Sequence, residues 1–260
     1  MATGKTYLSE FLKVAPLSHA IWRSIEALAF SKHSFEKPSL DIGCGFGEFA
    51  GVVFDRLEMG IDISHNDLVK AENTNKYKEL TLADTKNLPF KRGTYKTVVS
   101  VSVLEHVDDP QKAIAEVSRV LKKNGFFIFS VPTTELYSKI LTVKLLTLLG
   151  LTGFSSRYIS LHKKAFRHVS IHPTSWWQNA LEENGFEVVY KSGTLAPSAL
   201  YLHEIFLITA LPSEFAKRLF GQRYLMMPKT KAKVLTRIFQ GYIRIDRNSE
   251  INMFFVSRKK

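Results

Sequence analysis

The sequence predicts an α/β chain in which a mostly parallel sheet is wrapped by helices, and three observations carry that prediction. From Ser39 to Val131, short apolar segments alternate with amphipathic helical ones, the order expected of strand–helix–strand units. Thr97–Leu104 places Val98, Val99, Val101 and Val103 in one run, as a central parallel strand covered on both faces requires. A glycine-rich turn, Gly43-Cys44-Gly45-Phe46-Gly47, joins the first strand to the helix that follows.

Ser18–His33 reads as a helix, because Ile21, Trp22, Ile25, Leu28 and Ala29 fall on one face at helical spacing. Ser39–Gly43 is the first strand and Glu48–Arg56 the helix after it. Met59–Ile63 and Glu79–Ala83 are the next strands, separated by a helix over His65–Asn73 that Ser64 caps. Pro110 suits a helix start, where its missing N–H costs nothing, and the helix Gln111–Lys122 should stop at Asn124-Gly125 before the strand Phe126–Val131. Beyond Pro132 the rhythm changes. Glu135–Ile171 reads as two helices with a loop between them, Thr174–Glu183 as a helix stopped by Asn184-Gly185, and Phe186–Tyr190 as a strand. Gly193–Asn248 is mostly helical, aromatic and basic, and Ile251–Ser257 is a last strand. No single regular helix leads into that strand, so it is expected to run antiparallel. The 260 residues read as one domain with a helical N-terminal extension over 1–35, a lid insertion over 135–172 and a helical insertion over 195–248.

Composition narrows the function. A single cysteine, Cys44, excludes an intramolecular disulfide and a metal site built on several thiolates. No carboxylate–histidine cluster stands out, Asp108-Asp109 reading as a cap for the helix at Pro110, so no metal is expected. Lys5, Glu10 and Lys13 interrupt the apolar core that a signal peptide needs, and a cytoplasmic location is expected. The net charge of +12, concentrated in Lys163–His168 and Arg218–Arg247, favours an anionic partner. Leu136–Leu151 and Ala199–Leu211 are apolar but carry Lys139, Lys144, His203 and Glu204, too polar to span a bilayer. With Lys217, Arg218 and Arg223 nearby, Leu136–Leu151 and Ala199–Phe220 fit peripheral contact with an anionic membrane.

The glycine turn discriminates between ligands. A dinucleotide site is marked by G-x-G-x-x-G, whereas this turn reads G-x-G-x-G with Glu48 in the place of the last glycine. A carboxylate there repels a pyrophosphate and tolerates a cationic amino-acid group. Asp62 closes the second strand and suits a pair of ribose hydroxyls; Asp84 closes the third and suits an adenine amino group. Leu88-Pro89-Phe90 is an apolar turn able to close over the strand ends.

Together with Val103-Leu104-Glu105-His106-Val107 and Leu121–Pro132, these segments resemble the class I S-adenosylmethionine-dependent methyltransferases, in particular the small-molecule group called type 11. The resemblance runs from about Leu40 to Pro132, and Asn184–Val188 is similar to the start of that family's sixth strand. It implies a Rossmann-like sheet of seven strands, mostly parallel with an antiparallel last strand. S-adenosyl-L-methionine would lie across the carboxyl ends. By carry-over, Asp41, Gly43 and Gly45, with Cys44 in the same turn, face the methionine part. Asp62 and Ile63 face the ribose and adenine, Asp84 and Thr85 the adenine edge, and Ser102 and Val103 the floor near the sulfonium.

A methyl sulfonium is already reactive, so the protein mainly aligns donor and acceptor and excludes water. Where the acceptor must lose a proton, His106 is the candidate base, and His168 and His172 are candidate substrate contacts on a lid. Methylases of amide or base amino nitrogens typically carry Asn/Asp-Pro-Pro-Tyr where this chain has Ser102-Val103-Leu104-Glu105. Cytosine C5 methylation needs a cysteine nucleophile, but Cys44 sits in the cofactor turn. The expectation is O-methylation of a small-molecule or lipid-linked acceptor. The alternatives are an RNA methyltransferase, supported by charge but without a recognisable RNA-binding module, and a non-catalytic cofactor-binding protein; nucleic acid is not the expected partner.

Overall fold

The computed structural model describes residues 4–207 and 229–260. Its strands are β1 (Ser39–Ile42), β2 (Leu57–Asp62), β3 (Tyr77–Leu82), β4 (Tyr95–Val101), β5 (Leu121–Pro132), β6 (Phe186–Gly193) and β7 (Asn252–Lys259). They form one seven-stranded sheet in the order β3-β2-β1-β4-β5-β7-β6. β1 to β5 pair in parallel, and β7 runs antiparallel to both β5 and β6. The expected Rossmann-like sheet with an antiparallel last strand is therefore present. The order reverses between β1 and β4, which opens a crevice at their carboxyl ends.

Helices α1 (Gly4–Phe11) and α2 (Leu17–Phe30) precede the sheet; α3 (Glu48–Val53), α4 (His65–Glu72) and α5 (Pro110–Val120) follow β1, β2 and β4. Ser64 caps α4 by accepting from the Asp67 amide at 3.3 Å, and Asp109 caps α5 by accepting from the Lys112 amide at 3.0 Å. Between β5 and β6 lie α6 (Glu135–Lys139), α7 (Leu141–Leu148), α8 (Thr152–Phe166) and α9 (Thr174–Glu183). Between β6 and β7 lie α10 (Pro197–Leu207) and α11 (Lys229–Phe239).

Two local expectations change. α5 ends at Val120 and β5 starts at once, so Asn124-Gly125 interrupts a strand instead of stopping a helix. The register jumps from Tyr95–Leu121 to Thr97–Phe126, and the residues between bulge out. A Cβ on Gly125 would lie 2.9 Å from the carbonyl oxygens of both Lys122 and Lys96, which is why a glycine stands there. The segment 135–171 holds three helices, because Ile140 leaves the helical region (ψ 130) between α6 and α7 and Gly150 (φ +73) breaks the chain before α8. Of the second apolar stretch, only the part up to Leu207 falls within the described residues; Lys217, Arg218, Arg223 and the run to Phe220 lie outside them.

Among the described residues three apolar interiors form, and two of them position the site. Leu40, Ile42, Val98, Phe127, Phe129, Trp177 and Phe255 pack within the sheet layer. Leu8, Phe11, Ile21 and Ile25 of the N-terminal helices join Leu136, Ile140, Leu200 and Ala232 in a second interior. Each large aliphatic side chain so buried contributes about 1.5–3 kcal/mol.

One buried charge binds this second layer to the sheet. Glu26 of α2 is 1% exposed. Its Oε1 accepts from the hydroxyls of Ser102 and Ser130, each at 2.7 Å, and from the Asn252 side-chain amide at 3.3 Å. Its Oε2 accepts from Arg23 at 2.8 Å. The three neutral donors stand at the carboxyl ends of β4 and β5 and at the first residue of β7, so α2 is clamped across three strands. A buried carboxylate persists because its lone pairs are filled. Glu26→Ala strands these donors and removes the partner of Arg23. It is expected to lower stability by roughly 3 kcal/mol, read by urea unfolding; a loss within experimental error would refute the clamp.

Candidate active site

The glycine turn is stitched to β2, with the Gly43 and Cys44 amides donating to the Ile61 carbonyl at 2.8 and 2.9 Å. Gly43 has φ +72, and a Cβ on it would fall 2.4 Å from Cγ1 of Val103. The first turn and the end of β4 therefore touch at a position that only glycine fits. Gly45 (φ +54) differs: among the described residues beyond its chain neighbours, no atom lies within 4 Å of where its Cβ would be. That open side of the turn is where a ligand can approach the backbone.

Asp62 reaches back to this turn. Its Oδ2 accepts from the Gly45 amide at 2.8 Å and its Oδ1 from the Ser64 amide at 2.9 Å. A carboxylate offers about four lone-pair sites, so two remain for hydroxyls from outside. Ile63, next to it, is 75% exposed, and Leu82 at the end of β3 is also exposed. Exposed aliphatic side chains at two strand ends make a surface for a flat apolar ring; Leu82 carried no sequence signal for this. Asp84 is exposed and accepts from the Lys86 amide at 2.9 Å, while Thr85 beside it is buried.

Asp41 is buried, and the Tyr77 hydroxyl of β3 donates to it at 2.7 Å. Burial pushes the Asp41 carboxyl up to about 7; nearby Asp62 adds to the rise, while the Tyr77 bond and Arg23 oppose it. Burial also raises the Cys44 thiol, with Asp41 and Asp62 adding to the effect, so the thiol stays protonated. Ser102 adopts φ +52, its amide donating to the Ser130 carbonyl at 3.0 Å and its hydroxyl to Glu26. The hydroxyl belongs to the α2 clamp, and Val103 alone of this pair meets the glycine turn.

The chain after β4 makes a 3-10 turn at Leu104–His106. The Glu105 carbonyl accepts from the Val169 and Ser170 amides at 2.9 and 3.0 Å, which pins the loop after α8 to the end of β4. His106 and His168 thereby come together, their ring centroids 5.5 Å apart. Nδ1 of His106 lies 3.1 Å from the Arg167 carbonyl, and Nδ1 of His168 lies 2.7 Å from the Tyr137 hydroxyl. Burial lowers both imidazoles, that of His168 to about 3 with His106, His162 and Lys163 adding to the fall. Both rings therefore favour the neutral form. Glu105 is 2% exposed, and its Oε2 has no hydrogen-bond partner among the described residues. Burial pushes the Glu105 carboxyl up to about 8. His172 stands apart, stacked on Trp176 at 3.7 Å. Of the histidines singled out, two converge and one does not. Glu105 and Tyr137 join them unannounced, Glu105 because it reads as an ordinary neighbour of His106, Tyr137 because only folding brings it near.

The Asp41 carboxyl has a pH consequence. Its pKa of about 7 in the fold lies above the ordinary value of about 4 in the unfolded chain. The folded state therefore holds the proton more tightly, and this group's contribution is greatest below about pH 4 and is lost as pH rises toward about 7. In Asp41→Asn that loss is absent, so its stability relative to the parent should rise between about pH 5 and pH 8 by urea midpoint. A constant difference across that range would contradict the assignment.

Residues 40–129 match the family model described as a methyltransferase domain. Over 99 residues the chain is 36% identical to tRNA (carboxymethyluridine(34)-5-O)-methyltransferase of Arabidopsis thaliana, a match covering 37% of this chain and 24% of that protein. Over 110 residues it is 33% identical to norajmaline N-methyltransferase of Rauvolfia serpentina, covering 36% and 37%. The chain spans less than two thirds of the length of the curated relatives it matches. The fold is shared with an S-adenosylmethionine-dependent methyltransferase of Thermotoga maritima at a TM-score of 0.61 and 18% identity, covering 94% of this chain and 92% of that one.

Proposed function

We propose that this chain, a class I S-adenosylmethionine-dependent methyltransferase, methylates a hydroxyl oxygen of a small-molecule or lipid-linked acceptor. S-adenosylmethionine supplies an electrophilic methyl group on a sulfonium; what the chain supplies is binding, alignment and exclusion of water. The open side of Gly45 and the absence of a pyrophosphate-compatible glycine at Glu48 suit the methionine part. The two remaining lone-pair sites of Asp62 suit ribose hydroxyls, Ile63 the purine face, and Asp84 with Thr85 the adenine edge. The insertion over 135–172, which carries His168, serves as the lid over the acceptor.

The observation that carries the oxygen-methylation reading is the convergence of His106 and His168 at the end of β4. A hydroxyl must lose its proton as it attacks, whereas a neutral amine attacks with a lone pair it already has. Deprotonation of the acceptor depends on His106, whose pKa burial lowers, so that the ring favours its neutral form. The apolar character of the acceptor is supported by Leu145, Leu148, Leu149, Leu151 and Phe154, all exposed along α7, α8 and the turn between them. Among the described residues no helix is long and apolar enough to cross a membrane. A chain of net charge +12 with such a surface suits an acceptor met at an anionic membrane from the cytoplasm. Charge and the similarity to a tRNA methyltransferase favour a second reading, RNA as the acceptor. Methyl transfer from radiolabelled cofactor into separated lipid, small-molecule and RNA fractions decides between them: label in RNA alone overturns the first reading.

Two substitutions test the site. Asp62→Ala should weaken binding of S-adenosylhomocysteine by about 2–3 kcal/mol in calorimetry, the scale of losing hydrogen bonds to a charged group. Tighter binding of NAD than of S-adenosylhomocysteine by the parent protein would sink the cofactor assignment. His106→Ala should lower turnover by about 10²–10⁴ while leaving cofactor affinity unchanged; unchanged turnover would remove His106 from the reaction.

A further inference from the structure

We propose that Glu105, His106 and His168 form a binding site for a divalent transition-metal ion at the end of β4. Each offers one ligand atom, and these atoms lie within 4.8 Å of one another. Nε2 of His106 is 3.9 Å from Oε1 of Glu105, too far for a hydrogen bond and close to the span of two ligands on one ion. Bonds of about 2.0–2.2 Å to such an ion place its ligands roughly 3–4 Å apart, so side-chain movements on the order of 1 Å complete the set.

Three features distinguish this cluster from a chance meeting of polar groups. Glu105 is almost wholly buried, yet its Oε2 finds no donor, and a buried carboxylate oxygen without a partner is costly enough to need an explanation. Arg23, an arginine near it, is committed to Glu26. Second, both imidazoles are oriented through Nδ1, His106 on the Arg167 carbonyl and His168 on the Tyr137 hydroxyl. For His106, whose partner is a carbonyl, Nδ1 donates and Nε2 keeps its lone pair; for His168 the Tyr137 hydroxyl, able to accept as well as donate, is compatible with the same tautomer, the arrangement in which a histidine binds metal. Third, the loop that carries His168 is held by the Glu105 backbone itself, through Val169 and Ser170. The ligands are thus positioned by the same hydrogen bonds that build the site.

Two imidazoles and one carboxylate suit zinc, cobalt, manganese or iron, and leave coordination positions open. The use of the ion rests on the oxygen-methylation reading. An acceptor hydroxyl bound at an open position would release its proton to solvent more readily. Its oxygen would then form the new bond to the methyl carbon as the sulfur–methyl bond breaks and the electron pair stays on sulfur. On this inference His106 acts by holding the ion, and the loss on His106→Ala stands for that reason.

The test is a titration of the chelator-treated, dialysed full chain with Co²⁺, followed by its visible absorption, with S-adenosylhomocysteine affinity measured on the same samples. One equivalent should bind in a nitrogen-and-oxygen environment and be displaced by Zn²⁺. Glu105→Gln and His168→Gln should each abolish stoichiometric uptake. Tyr137→Phe, which touches no metal, should weaken uptake by about 10–100-fold through the orientation of His168. Should Glu105→Gln fail to fold, His168→Gln, at a half-buried loop position, decides alone. A parent protein that binds S-adenosylhomocysteine but takes up no Co²⁺ overturns the metal site and leaves the methyl-transfer reading standing, as does uptake unchanged in His168→Gln. Metal uptake without S-adenosylhomocysteine binding overturns the cofactor reading and leaves the site standing.

Discussion

A single carboxylate, that of Glu26, holds the layer above the sheet to the strand ends from which the candidate site is built. It takes hydrogen bonds from Ser102, Ser130 and Asn252 and pairs with Arg23. Ser102 is left in the left-handed region (φ +52), a conformation that an ordinary residue keeps only when its surroundings impose it. That bend directs Val103 against Gly43 and turns the chain into the 3-10 segment with Glu105 and His106. The glycine turn, the end of β4 and the N-terminal helices therefore depend on one another.

The electrostatics of the site follow from burial. Asp41 and Glu105 are both withdrawn from water and hold their protons more tightly than ordinary carboxyls, while the imidazoles of His106 and His168 lose theirs more easily. The two carboxyls differ in their neighbours. Asp41 has the Tyr77 hydroxyl and belongs to the support of the turn; the Glu105 side chain has an orphaned oxygen and faces two histidines. Asp62, partly exposed and bonded to two amides, stays available at the crevice.

The recognisable methyltransferase segment stops at residue 129, and it supplies the turn, the strand-end acids and His106. Much of what surrounds the end of β4 comes from elsewhere in the chain. His168 and Tyr137 arrive on the insertion after β5, and the helices that cover them share an interior with α1 and α2. Relatives named for different acceptors, a tRNA carboxymethyluridine and norajmaline, each match little more than a third of the chain.

Local signals by themselves determined the sheet. β-Branched runs, Ser64 and Asp109 as caps, and glycines where φ must be positive each act over a few residues, so the alternation of strands and helices was legible without the fold. The antiparallel last strand was legible too, from the missing helix before it. Asn124-Gly125 was misread because the same dipeptide ends a helix or bulges a strand, and only pairing with β4 tells which. Glu26 carried no sequence signal for its role, since three of its four partners, Ser102, Ser130 and Asn252, come from distant segments. The meeting of Glu105 and His106 with His168 was likewise hidden, because two backbone bonds from a loop after β5, formed only in the folded chain, bring them together. Sequence periodicity records which face of an element is apolar. It does not record which polar groups from separate elements must share one buried space, and tertiary structure alone decided that.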